Sequence, residues 1–186
     1  MIPSKTAGSS KVAAELYQAF QQINEDEVTG LAERITKANR VFVAGAGRSG
    51  LMGRAFAMRL MQLGIPVYVV GETVTPAIKA GDLLVIGSGS GETTPLVAFA
   101  NKSASLHADV VLITLSAHST IGRMANHTIT LTGARKDQID ADVSIQPLGS
   151  LYEQTLLLFY DVVIISLMQM LEMDTSRMYE NHANLE

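Results

Sequence analysis

Residues 41–50 read VFVAGAGRSG, so an apolar run ends in a glycine-rich turn. This order predicts a β-strand, a tight turn and then a helix, which we expect over residues 51–63. Residues 83–95, LLVIGSGSGETTP, repeat the arrangement, with Thr94 expected as the N-cap and Pro95 as the first helical residue. Successive strand–turn–helix units are typical of an α/β protein.

The chain continues this alternation beyond the two glycine loops. Further strands are predicted at 67–70, 110–114 and 128–131, with a short helix near 121–125. Each strand is a continuous apolar run, as expected for a parallel sheet covered on both faces. We predict a doubly wound, five-stranded parallel sheet flanked by helices. In the flavodoxin-like order 2-1-3-4-5, the two glycine loops would face each other across one crevice.

Two helices are predicted before the first strand. Residues 11–23 carry apolar side chains at helical spacing, and Asn24 with Glu27 fits a capping box that opens a second helix ending near residue 38. We expect residues 1–10 to be a flexible N-terminus. Residues 11–186 are then a single domain that includes this helical extension.

The segment 151–171, LYEQTLLLFYDVVIISLMQML, is long enough to cross a bilayer. It contains Glu153, Gln154, Asp161 and Gln169, which lipid would make expensive. We therefore expect no membrane association, and predict a helix in the core and at a subunit interface. The low charged fraction of 17% also favours self-association, because it leaves little polar surface for a monomer.

Composition excludes several classes of protein. The chain has no cysteine, which removes disulfides and thiolate chemistry and fits a cytoplasmic location. Its net charge is −4 and it has no basic block, so nucleic acid is not an expected partner. The four histidines lie far apart without metal-ligand spacing, and we expect no metal site.

The second glycine loop favours a phosphate ligand. It offers the hydroxyls of Ser88, Ser90 and Thr93 next to the start of a helix, where backbone N–H groups lack partners. Such donors suit a terminal phosphate dianion, although a local Ser/Thr turn with an N-cap is the alternative. The first loop alone also fits a dinucleotide-binding turn, with Glu72 at the position that contacts ribose.

Four segments together resemble the 6-phospho-3-hexuloisomerases of the sugar isomerase (SIS) family: AGAGRSG, SGSGETTP, GSLYEQTLLLFYD and the closing NHANLE. The resemblance covers nearly the whole chain after residue 11. It implies interconversion of 3-hexulose 6-phosphate and fructose 6-phosphate through a cis-enediol, in formaldehyde fixation by the ribulose monophosphate route. It also implies that no cofactor is needed, and that the protein is a homotetramer with a shared active site.

The resemblance assigns roles to particular residues. The substrate phosphate would be held by Ser49, Ser88, Gly89, Ser90 and Thr93. Gly47 and Arg48 would bind the substrate, although Arg48 also fits a solvated loop arginine.

The resemblance further makes Glu153 the catalytic base and His182 an acid/base from a neighbouring subunit. Local patterns offer alternatives for both. Ser150 to Glu153 fits a capping box, and His182 lies in a polar tail that resembles a frayed terminus.

The sequence also leaves three other functions open. They are another phosphosugar isomerase, a sugar-phosphate sensor without catalysis, and a dinucleotide-dependent oxidoreductase. Sensors of this type carry a DNA-binding module. The short stretch before the first strand is acidic and unsuited to DNA, with Glu25, Asp26, Glu27 and Glu33.

Overall fold

The computed structural model describes residues 7–134, 136 and 143–185. Two helices come first, α1 (Ala7–Phe20) and α2 (Glu25–Lys37). The alternating part of the chain comprises β1 (Val41–Gly45), α3 (Gly47–Gln62), β2 (Val67–Val69), β3 (Leu83–Gly87), α4 (Thr94–Ser105), β4 (Asp109–Thr114) and β5 (His127–Thr130). It is followed by α5 (Ser150–Met170) and α6 (Thr175–Glu180). The N-terminus predicted to be flexible lies mostly outside the described residues, and α1 begins at Ala7.

The five strands form one parallel sheet in the order β2-β1-β3-β4-β5. The predicted fold class and strand order are therefore confirmed. Strands β1 and β3 are neighbours, with Gly45 aligned to Gly87. Because parallel strands end at the same edge of a sheet, the two glycine loops begin side by side.

Helices cover both faces of the sheet. One apolar cluster joins the sheet to α2, α3, α5 and α6, and a second joins it to α4. The strands supply both clusters in alternation: Val41 and Val43 face the first, whereas Phe42 and Ala44 face the second.

Helix α5 is the core helix that the sequence predicts. Its length and composition alone would allow it to cross a membrane, but more than half of it is buried within the protein. The ring of Tyr160 on α5 stacks on Phe56 of α3 with their centroids 4.2 Å apart. The apolar side chains of α5 thus contribute to the core of a folded domain.

Several predicted boundaries were wrong. Helix α3 begins at Gly47, four residues before the predicted start at residue 51, and Ala46 alone links it to β1. Helix α4 has Thr93 as its N-cap instead of Thr94. The short helix expected near residue 121 is a series of turns over residues 117–124. Helix α6 was not predicted; the side chain of Asp174 caps it by accepting from the Arg177 N–H.

Asn24 caps α2 as predicted, by accepting from the Asp26 N–H at 2.9 Å. The reciprocal half of that capping box was not seen. Glu27 instead accepts a hydrogen bond from His127, across to β5.

Candidate active site

A cleft of about 500 Å³ lies at the carboxyl edge of the sheet. Its described walls come from both glycine loops, the first turn of α4, the residue after β4, the start of α5 and the segment that precedes α5. They comprise Ala46, Gly47, Ser49, Gly87, Ser88, Gly89, Ser90, Thr93, Leu96, Leu115, Ala134, Lys136, Gly149 and Tyr152. The crevice expected from the strand order is therefore present, and all five residues expected to hold a phosphate lie on its walls.

The glycines of the first loop have structural roles. A Cβ on Gly45 would lie 2.8 Å from Gly50 Cα, and one on Gly50 would lie 2.7 Å from the Gly45 oxygen. Gly47 has φ +56°, a conformation that favours glycine. Close packing and backbone conformation thus explain the G-x-G-x-x-G pattern without a dinucleotide.

The second loop is held by its own hydroxyls. Ser88 Oγ accepts from the Gly91 N–H at 3.1 Å, and Ser90 Oγ accepts from the Glu92 N–H at 3.2 Å. These are the local turns that the sequence offered as an alternative. They do not exclude a ligand, because a hydroxyl that accepts one hydrogen bond still carries a proton to donate.

Three helices, α3, α4 and α5, begin at this cleft without a side-chain cap. Their N-caps are Ala46, Thr93 and Gly149, and none forms a side-chain hydrogen bond to the helix start. By contrast, α2 and α6 are capped by the side chains of Asn24 and Asp174. Uncapped helix N-termini present N–H groups and positive dipole ends, so this edge of the sheet attracts anions.

Tyr152 joins the start of α5 to the second loop. Its hydroxyl donates to the Ile113 oxygen at 2.8 Å, and its ring packs against Gly89, where a Cβ would lie 3.2 Å from the ring. Burial raises the pKa of Tyr152 well above its ordinary value, so the phenol stays protonated and donates. The third helix N-terminus is thereby fixed relative to the other two.

Glu153 lies in the first turn of α5, and its side chain is only 4% exposed. Its carboxylate contacts two cations. Arg48 Nη1 donates to Oε2 at 2.9 Å, and Lys136 Nζ lies 3.2 Å from Oε1. Lys136 is one of the residues that line the cleft, so the carboxylate lies just behind that wall.

The capping box that the sequence offered as the alternative for Ser150 and Glu153 does not form at the start of α5. Ser150 is the first helical residue rather than the N-cap, and its hydroxyl donates to the Pro147 oxygen at 2.7 Å. Ser150 Oγ also accepts from Arg48 Nη1 at 2.9 Å. Glu153 is thus held by charged partners from distant parts of the chain, and Arg48 is fixed at two points.

His182 lies away from the cleft of its own chain. Asn181 Nδ2 donates to the Gln62 oxygen at 3.0 Å, at the far end of α3 from Ser49. These two α3 residues are separated by about 20 Å at 1.5 Å per residue. The structure therefore does not bring His182 together with Glu153 within one chain.

Glu72, expected at a ribose, forms an ion pair with Arg54. Among residues 7–134, 136 and 143–185, no three His, Cys, Asp or Glu side chains lie close enough together to hold a metal ion.

The fold and cleft define a doubly wound α/β protein in which three helix N-termini without side-chain caps meet at one edge of the sheet. Residues 34–164 match the model of the SIS domain. The chain belongs to the SIS domain family.

Two relatives and one crystal structure are similar to this chain over nearly its full length. The chain is 47% identical to a 3-hexulose-6-phosphate isomerase of Bacillus subtilis, over 95% of this chain and 96% of the relative. It is 39% identical to a 3-hexulose-6-phosphate isomerase of Mycobacterium gastri, over 97% and 91%. A crystal structure from Methanococcus jannaschii, whose function was inferred as 3-hexulose-6-phosphate isomerase, superposes with a TM-score of 0.82 at 34% identity. That superposition covers 96% of this chain and 98% of the other.

Proposed function

We propose that this protein is a phosphosugar isomerase that interconverts 3-hexulose 6-phosphate and fructose 6-phosphate. The observation that carries the proposal is the position of Glu153, a buried carboxylate beside a cleft on which three uncapped helices converge. The names of the relatives supply the identity of the sugar. The reaction would serve formaldehyde fixation by the ribulose monophosphate route, in the cytoplasm.

The phosphate would bind between the first turns of α3 and α4. Ser49 and Ser88 are buried there, and Thr93 lines the cleft without using its hydroxyl to cap α4. Each hydroxyl would donate to a phosphate oxygen, together with the Gly89 N–H and the helix N-termini. Gly47 leaves room for the substrate beside the start of α3. Arg48 would contribute to substrate binding by holding the Glu153 carboxylate in place.

Glu153 would then act as the base. Its carboxylate takes the proton from C2 of the 3-ketose, and the C2–H electrons form the C2=C3 bond while the C3 carbonyl becomes an enediolate oxygen. The proton on O2 passes to O3 within the cis-enediolate. Glu153 returns its proton to C3, and the C2 oxygen becomes the new carbonyl. Every proton is accounted for without a redox cofactor.

His182 would act as an acid/base at the carbonyl or at the ring oxygen. Ring opening is needed only when the reaction starts from fructose 6-phosphate. A 3-ketose cannot close a five-membered ring because its O6 carries the phosphate, so 3-hexulose 6-phosphate is open-chain. Fructose 6-phosphate closes its ring through O5 and must be opened. If His182 serves ring opening, its loss should slow conversion from fructose 6-phosphate first.

We also propose a homotetramer whose active sites are shared between subunits. The tail of each chain is anchored about 20 Å from its own cleft along α3, so a neighbouring chain is the natural source of His182. Helix α3 exposes Leu51, Met58 and Met61 along one side, which supports association between copies of the chain.

A coupled assay tests the reaction. Formaldehyde and ribulose 5-phosphate are condensed in situ to supply the 3-ketose, and formation of fructose 6-phosphate is then followed. We expect conversion only when this protein is present. A protein that binds fructose 6-phosphate without turnover would be a sensor, and the proposed function would be wrong.

Mixing two inactive variants tests the shared site. Glu153→Gln is expected to lack the base, and a chain lacking residues 181–186 is expected to lack the acid/base. Hybrid oligomers should regain turnover, because some sites combine an intact Glu153 with an intact tail from another chain. Hybrids that stay inactive, with subunit exchange verified by mass, would place both residues in one chain.

A further inference from the structure

We propose that Lys136 is a catalytic residue that neutralises the enediolate oxygen during carbonyl migration, a role that rests on the proposed function. Its ammonium group lies 3.2 Å from Glu153 Oε1, and Lys136 is one of the residues that line the cleft. Lys136 is therefore positioned between the base and the space that the substrate would occupy.

The two cations on Glu153 differ in how firmly they are held. Arg48 donates to Glu153 Oε2 and to Ser150 Oγ, both at 2.9 Å, which fixes its planar guanidinium. The Lys136 side chain is 57% exposed, and its ammonium is a point charge on a flexible stem. Arg48 thus orients the carboxylate, whereas Lys136 can turn toward a ligand in the cleft.

The Lys136 stem lies over Gly149, the N-cap of α5. A Cβ on Gly149 would lie 3.2 Å from both Cγ and Cε of Lys136. This contact directs the aliphatic part of Lys136 along the start of α5, toward Glu153 in the first turn. The absence of a side chain at Gly149 leaves room for that path.

The charge balance of the reaction gives Lys136 its role. In the structure the ammonium group faces the negative charge of Glu153. When the carboxylate takes the C2 proton it becomes neutral, and one negative charge appears on the oxygen of the former carbonyl. An ammonium group that follows this charge stabilises the intermediate more than the ground state, which lowers the barrier. When Glu153 returns the proton to C3, Lys136 pairs with the carboxylate again and stays protonated throughout.

The test compares three lysine variants in the coupled assay. Lys136→Met keeps the length of the side chain and removes its charge, Lys136→Arg keeps the charge, and Lys102→Met is the matched control in the exposed last turn of α4. We expect Lys136→Met to lose about 10²-fold in kcat, as for removal of one oxyanion donor, with a much smaller change in KM. Lys136→Arg should recover part of the loss, and Lys102→Met should match the unmodified protein.

Chemical rescue separates a charge role from a structural one. Added methylammonium should raise the kcat of Lys136→Ala with increasing concentration and leave the unmodified protein unchanged. Turnover of Lys136→Met equal to that of Lys102→Met would overturn the role of Lys136, as would a loss in Lys136→Ala that methylammonium does not rescue. If the unmodified protein forms no fructose 6-phosphate in this assay, the proposed function itself fails, and the role of Lys136 fails with it.

Discussion

Replacing Glu153 by glutamine should separate catalysis from folding. The substitution keeps the shape of the side chain but removes the charge that faces Arg48 and Lys136. These partners are 47% and 57% exposed, so water can solvate them once the carboxylate is gone. Each lost pair then costs about 0–1 kcal/mol. The melting temperature should fall by only about 2–4 °C per kcal/mol in a chain of this size.

The expected effect on turnover is much larger. A positioned general base contributes about 10²–10⁴-fold to the rate, which corresponds to about 3–5 kcal/mol in the activation barrier. The measurements are kcat in the coupled assay and the melting temperature by circular dichroism. Glu33→Gln is the control, because Glu33 also pairs with a lysine but lies on the exposed surface of α2.

One result would refute the reasoning about Glu153. If Glu153→Gln melts like the unmodified protein and also turns over at a similar rate, the carboxylate serves only to hold Arg48 and Lys136 in place. Glu153→Asp adds a second measurement, since it keeps the charge on a side chain that is one methylene shorter. We expect it to be slower than the unmodified protein but faster than Glu153→Gln.

Four further outcomes are expected. Thr93→Ala should raise KM and weaken binding of inorganic phosphate about 10-fold by calorimetry while kcat is retained, because it removes one hydrogen bond to a charged group. Ser88→Ala should also raise KM and weaken phosphate binding, and it should lower the melting temperature because Ser88 Oγ accepts from the Gly91 N–H. Unchanged phosphate affinity in both variants would contradict the proposed phosphate site. Deleting residues 181–186 should abolish turnover and leave the assembled mass intact by light scattering, so an active truncated protein would remove the tail from the mechanism. Burial alone would raise the pKa of Glu15, but hydrogen bonds from segment 144–146 lower that pKa overall. The ionised Glu15 carboxylate therefore stabilises the fold at pH values above its pKa in the unfolded chain. This stabilisation is lost as the pH falls through the lower pKa of the folded protein. Melting temperatures from about pH 5 to 3 should thus fall more steeply for the unmodified protein than for Glu15→Gln, and parallel slopes would contradict this.

The sheet could be predicted because its signal is local and repeated. Each strand is an apolar run that ends at a turn, which predicts a doubly wound sheet. The order 2-1-3-4-5 is one of the orders that such sheets adopt, and the structure was needed to establish it. The prediction missed where α3 begins, because nothing in the pattern says that Gly45 and Gly50 pack backbone against backbone. It also missed α6, whose six residues are too few for a periodic signal.

The candidate site was predictable where its residues lie within a loop, and not where they meet across the chain. Ser88, Ser90 and Thr93 are close in sequence, so their convergence is visible without a structure. Ser150 and Glu153 have the spacing of a capping box, and only the folded chain shows that Arg48 contacts both of them. Lys136 lies in a polar segment without periodicity, so the sequence carries no signal that it reaches Glu153.

The three uncapped helices have a consequence for how selectivity is divided within the cleft. In the proposed site their backbone donors would recognise a compact dianion without contacting the rest of the molecule that carries it, so free phosphate would compete with the sugar phosphate. Discrimination among sugars must then come from the opposite end, near the start of α5. Changes in a few side chains near the start of α5 could then alter which sugar is bound, while the proposed phosphate-binding site stays the same.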